Sequence, residues 1–118
     1  MKFQNCFIDE VGIMVFKNGN VWKTKSLIEH SKDIPVRIFN LWDISLDEVL
    51  RWQLTTVHDY CVHYTRVKNA DLTVPIILRD DGYVMDGWHR VIKAMVTGVK
   101  ELPCRRFKVN PPPDFKAE

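Results

Sequence analysis

The chain has 118 residues, 46% of them apolar and 27% charged, and a net charge of +2. A chain of that size and composition makes one globular domain with its own core and leaves no room for a second. The charge is uneven: residues 1–86 hold ten Lys/Arg against twelve Asp/Glu, whereas residues 87–108 hold six against Glu101 alone. A basic segment of that kind suits a phosphate-bearing ligand or a nucleic acid, and equally a solvated surface.

No apolar run approaches the roughly 20 residues needed to cross a bilayer. The opening residues, Met1 to Glu10, lack the apolar stretch of a signal peptide. Cys6, Cys61 and Cys104 are odd in number and far apart, a poor basis for a disulfide framework. The expectation is a cytoplasmic protein with no membrane partner.

In chain order, residues 11–16 read as a strand, and Lys17-Asn-Gly-Asn20 is a hairpin signal that returns through Val21–Thr24. Residues 25–32 suit one or two helical turns, and Pro35–Phe39 the next strand. Ser45-Leu-Asp-Glu48 has the form of a capping box. It is expected to open a long helix over about 46–67, with Leu46, Val49, Leu50, Val57, Tyr60, Cys61 and Tyr64 as the buried stripe. Asn69–Thr73 breaks the helix. Val74–Leu78 is an apolar strand, Arg79-Asp-Asp-Gly82 a turn, and Tyr83-Val-Met85 a second strand.

The most informative stretch follows. Asp86-Gly87 turns the chain from that strand into a helical run, Trp88 to Thr97, which Gly98 closes. A strand that turns through glycine into a helix sets the helix's free N–H groups and the positive end of its dipole at a sheet edge, where an anion fits. His89 and Arg90 in the first turn, and Lys93 one turn on, would add positive donors. Pro103–Val109 reads as the last strand, and Pro111-Pro-Pro113 as the start of a loose tail over 111–118. Strands and helices mix without a regular βαβ series, which favours α+β: a small mixed sheet with flanking helices.

These elements resemble the ParB/sulfiredoxin-like superfamily. Its pattern of a Pro-Ile strand, polar turn, strand, Gly-x-x-Arg box, helix-ending glycine and terminal strand is similar to Val74-Pro-Ile-Ile-Leu, Arg79–Gly82, Tyr83–Met85, Asp86-Gly-Trp-His-Arg90, Gly98 and Glu101-Leu-Pro-Cys-Arg. The resemblance covers roughly residues 34–109. Residues 1–110 are then one ParB/sulfiredoxin-like domain in which the hairpin of about 1–30 has no counterpart. The resemblance implies a nucleotide, ATP, ADP or CTP with Mg²⁺, or another phosphate ligand, bound by Gly87, Trp88, His89, Arg90 and Lys93, with Asp86 and His89 as catalytic candidates in a phosphotransferase or NTPase. The alternatives are a regulatory or nucleic-acid-binding module, a nuclease, or a protein-interaction domain with a relic site.

Within the superfamily, sulfiredoxins place a cysteine where this chain has Trp88, so the thiol nucleophile is missing. Partition proteins carry an upstream arginine motif and a helix-turn-helix domain that are not found here. Members that phosphorylate free serine carry Asp-Gly-His-His-Arg, similar to Asp86–Arg90, with a catalytic glutamate before the long helix; only Asp43, Asp47 and Glu48 lie near that place. The other reading of Asp86 is a helix cap, and of Trp88 a packing residue. His58, Cys61 and His63 suggest a metal, but His63 points away from His58 on a helix and no second cluster completes four ligands. Neither zinc nor haem is expected, and no metal ligand is assigned.

Overall fold

The computed structural model describes residues 13–15, 19–46 and 54–116. In chain order the elements are β1 (Ile13–Val15), β2 (Asn20–Lys23), α1 (Thr24–Ser31), β3 (Arg37–Asn40), a 3₁₀ turn (Leu41–Asp43), α2 (Val57–Asn69), β4 (Ile76–Leu78), β5 (Val84–Asp86), α3 (Trp88–Thr97), β6 (Glu101–Arg106) and β7 (Phe115–Lys116). The class is α+β.

The main sheet has the order β3-β6-β4-β5. β6 runs antiparallel to β3 and parallel to β4, and β4 runs antiparallel to β5, so the sheet is mixed. Ile76, Ile77 and Leu78 are all buried, as are Val84 and Met85. Such strands lack a polar face because both faces of the sheet are covered. Alternation sends Ile76, Leu78, Val84, Leu102 and Cys104 to one side, where Trp88, Val91 and Ala94 of α3 complete the larger core. Ile77 and Met85 point the other way, onto Trp22, Leu27 and Phe107. The central strands thus lie between α3 on one side and α1 with β2 on the other.

The hairpin β1–β2 forms with Val15 opposite Val21; its turn residues 16–18 lie outside the described residues. β2 is also paired on its second edge by β7, through Asn20↔Lys116 and Val21↔Phe115. The Trp22 indole donates to the Pro111 carbonyl at 2.9 Å, and the Asp114 carboxylate accepts from the Lys23 amide and the Ser26 hydroxyl. Residues 111–116, expected as part of a loose tail, are instead held along β2 by these contacts.

The long helix needs correction. α2 begins at Val57, and residues 54–56 ahead of it are not helical. Thr56 is the cap: its hydroxyl accepts from the Asp59 amide, and the Asp59 carboxylate accepts from the Thr55 and Thr56 amides. This reciprocal arrangement is a capping box with aspartate in the glutamate position. Ser45 does not cap α2; it bridges to Tyr83 beside the sheet, its amide donating to the Gly82 carbonyl. Residues 47–53, including Val49 and Leu50, lie outside the described residues. The buried face differs too. Val62 and His63 face inward, while Val57, Tyr60 and Tyr64 are exposed at 78%, 58% and 70%. Of the expected stripe, then, Val57, Tyr60 and Tyr64 face outward, Cys61 is half-buried, and Leu46 precedes the helix.

Thr56→Ala is expected to lower stability by about 1 kcal/mol. Ser45→Ala should cost less, since the Ser45 contact with Gly82 runs through the backbone. Urea unfolding of the two variants measures the difference; equal losses would contradict this assignment of the cap.

Candidate functional site

The turn between β4 and β5 sets the site's geometry. Arg79 is buried, grips Asp81 through two hydrogen bonds of 2.8 and 2.7 Å, and lies over the Tyr83 ring. The contact holds the Asp81 carboxyl below the usual carboxylate range. The turn closes through Gly82 N–H to the Arg79 carbonyl and feeds β5 straight into Gly87. Gly87 has φ of 120°, open only to glycine at low cost. A Cβ there would lie 2.7 Å from Ile76 Cδ1. Gly87 is the N-cap of α3 and brings no side-chain hydrogen bond to the helix end. At the far end Gly98, left-handed at φ 80°, closes the helix through its N–H.

The residues singled out from the sequence divide by what they touch. Asp86 does not cap α3; its carboxylate accepts from Arg90 Nη2 at 3.0 Å. Arg90 also donates through Nη1 to the carbonyls of Val74 and Pro75 at 2.9 and 2.7 Å. Lys93 donates to the carbonyls of Lys68 and Ala70, the last acceptors of α2. Trp88 is buried in the larger core, the packing position of its two readings. His89 alone of the first turn points its ring toward α2, where its Nε2 lies 2.9 Å from His63 Nδ1. The two rings are nearly parallel, 11° apart.

These contacts leave a cleft of about 350 Å³ between the C-terminal half of α2 and the start of α3. It is lined by Arg66, Asn69, Ala70, Asp71, Val74, His89 and Arg90. Burial is the main cause that holds His89 at about 4, with His63, Arg66 and Arg90 pushing the same way. Burial also lowers His63, against the attraction of Asp59. At neutral pH His89 is therefore an uncharged hydrogen-bonding ring, and the positive charge of the cleft belongs to Arg66 and Arg90. Asp71 supplies one carboxylate, whose Oδ1 accepts from the Thr73 amide and hydroxyl.

Arg66, Asn69, Asp71 and His63 were not assigned to this site from the sequence. They come from the end of α2 and the loop after it, and only the α2–α3 packing brings them to the box. Asp43 is exposed in the 3₁₀ turn, and Asp47 and Glu48 lie outside the described residues. Asp86, a catalytic candidate from the sequence, is engaged by Arg90, and among the described residues no three His, Cys, Asp or Glu side chains converge to hold an ion. Cys104 is buried beneath α3, its thiol pushed up to about 12 by that burial, and so is inert as a nucleophile.

The depressed His89 has a consequence for stability. An unfolded histidine gains its proton near 6.5, but the folded one resists until about 4. Between those values the unfolded state binds more protons, so stability falls as the pH is lowered through this window. The melting temperature in chloride buffer is expected to drop from pH 7 to pH 4, and His89→Gln to make that drop shallower. Identical slopes would contradict the assignment.

No protein-family model, curated protein or solved structure matches this chain.

Proposed function

We propose that this chain is a small anion-binding domain, with a ParB/sulfiredoxin-like fold, that takes a single phosphate-bearing molecule such as a nucleotide in the α2–α3 cleft. The observation that carries the reading is the convergence of Arg66 and Arg90, from two different helices, on one cleft beside the glycine-capped start of α3. Two guanidinium groups and the positive end of a helix favour the same ligand charge. The volume, about 350 Å³, falls at the small end of small-molecule sites and suits one nucleotide better than a strand. The order β3, α2, β4, β5, α3, β6 supports the family likeness, since it follows the motif order that suggested it.

Binding without turnover is the form of the proposal that the side chains favour. Asp86 and Arg90 hold each other, and His89 Nε2 is engaged by His63. A catalytic base needs a lone pair within reach of the proton it takes, and neither group offers one from the atoms engaged in those contacts. Extended nucleic acid is disfavoured by what the basic segment does. Outside the cleft, Lys93, Arg105 and Arg106 all donate to backbone carbonyls of their own chain.

Isothermal titration with ATP, CTP and inorganic phosphate, with and without magnesium, tests the proposal; no binding by any of them would overturn it. Arg66→Ala is expected to weaken binding roughly 10- to 100-fold, the loss of one charge-assisted contact of about 1.5–3 kcal/mol. Arg90→Ala is expected to behave differently. It strands two carbonyls and the Asp86 carboxylate, and should lower stability by about 2–4 kcal/mol. A melting temperature unchanged in Arg90→Ala would return that residue to a purely ligand-binding role.

A further inference from the structure

The hydrogen bond between two imidazoles restricts how many protons the pair can hold. With His63 Nδ1 and His89 Nε2 2.9 Å apart, one nitrogen donates and the other accepts. One extra proton can be added, on the outer nitrogen of the donating ring. A second would have to sit on the nitrogen that is accepting, and would set two N–H groups and two positive rings against each other. The pair is thus neutral or singly charged, and its charge is spread over both rings.

The surroundings decide between those two forms. From α2, Arg66 opposes a charge on the pair and Asp59 favours one; from α3, Arg90 opposes it. Asp71 borders the cleft from the loop after α2. Asp86 of β5 is held on Arg90, Lys93 is fixed on the end of α2, and the Cys104 thiol of β6 stays protonated. Burial first, and then the charges of Arg66 and Arg90, keep the pair neutral in the absence of a ligand. An anion seated beside Arg66, Arg90 and His89 opposes those causes, because it adds an attractive charge next to the His89 ring.

We propose that anion binding in the α2–α3 cleft is coupled to the uptake of one proton by the His63–His89 pair, with His63 as the positioning residue that shares the charge. The inference rests on the reading of the cleft as an anion site. Linkage fixes its sign. The proton affinity of the pair is low in the vacant protein and raised in the complex, so between the two midpoints affinity falls as the pH rises, by about tenfold per pH unit. Above the upper midpoint affinity is flat.

Sulfate is the suitable probe, since it remains a dianion from pH 4 to pH 8 and brings no titration of its own. Titration calorimetry of the full chain with sodium sulfate, at constant ionic strength and in buffers of different ionisation enthalpy, counts the protons taken up. The expected result is uptake approaching one proton near pH 5 and an affinity at least tenfold higher there than at pH 7.5. Nitrogen-detected NMR of the two imidazoles should show one shared titration step that sulfate moves to higher pH. His63→Asn keeps a hydrogen-bonding partner for His89 but cannot share the charge. In that variant the rise in affinity should shift at least one pH unit lower. Sulfate binding without proton uptake, or an unchanged pH profile in His63→Asn, would overturn the coupling and leave the anion site standing. No sulfate binding at any pH would overturn the site itself. The NMR titration of the unmodified chain decides the matter even if the variant does not fold.

Discussion

Backbone carbonyls at the ends of helices and strands must find donors, and in this protein cationic side chains supply them. Arg90 serves Val74 and Pro75; Lys93 serves Lys68 and Ala70; Arg105 serves Lys32 and Ile34; Arg106 serves Asp80. Each of these carbonyls lies in, or at the end of, a connection that would otherwise rely on water. Hydrogen bonds from a charged donor to a carbonyl are stronger than neutral ones, and a guanidinium can serve two acceptors at once. The four side chains come from α3 and β6, and they reach outward to fasten the connections around these elements.

The site is a by-product of this fastening. Lys93 ties the C-terminal end of α2 to the side of α3, and its charge also suits the negative end of the α2 dipole. Arg90 ties the strand that follows α2 to the start of α3. Between those two ties the helices cannot close completely, and the cleft is the space that remains. His63 and His89 meet across the same gap, where an apolar pair would be expected in a core made by packing alone. The contact is polar but carries no net charge at neutral pH, so burial costs it little.

Local structure was legible in the sequence where it depended on backbone chemistry. Gly87 and Gly98 bracket α3 at the residues expected, and the hairpin and the Arg79–Gly82 turn form where their turn residues stand. Two things were not legible. The start of α2 was misplaced because Ser45–Glu48 has the form of a capping box, whereas the box that caps α2, Thr56 to Asp59, carries aspartate in the glutamate position. The destinations of the basic residues were also hidden. A run of positive charge in sequence carries no sign of whether its donors face solvent, a ligand or the chain's own carbonyls, since those carbonyls come from residues 15 to 73 positions away. Arg66 was overlooked for a related reason: nothing near it in sequence distinguishes it from a solvated helix residue.

The pairing of β2 with β7 also has a meaning for the order in which the chain acquires its form. The contacts that fix β2 bridge 89 to 91 residues, from Trp22 to Pro111 and from Lys23 to Asp114. Pairings of such long sequence separation form late, because the loop they close is costly in entropy. During synthesis the hairpin emerges first, yet its second edge has no strand to receive until residue 116 has left the ribosome. An early-made segment is therefore among the last to be completed. For that interval β2 presents an open edge of the kind that recruits other chains, and the speed with which residues 111–116 dock governs how long the nascent protein is vulnerable to aggregation.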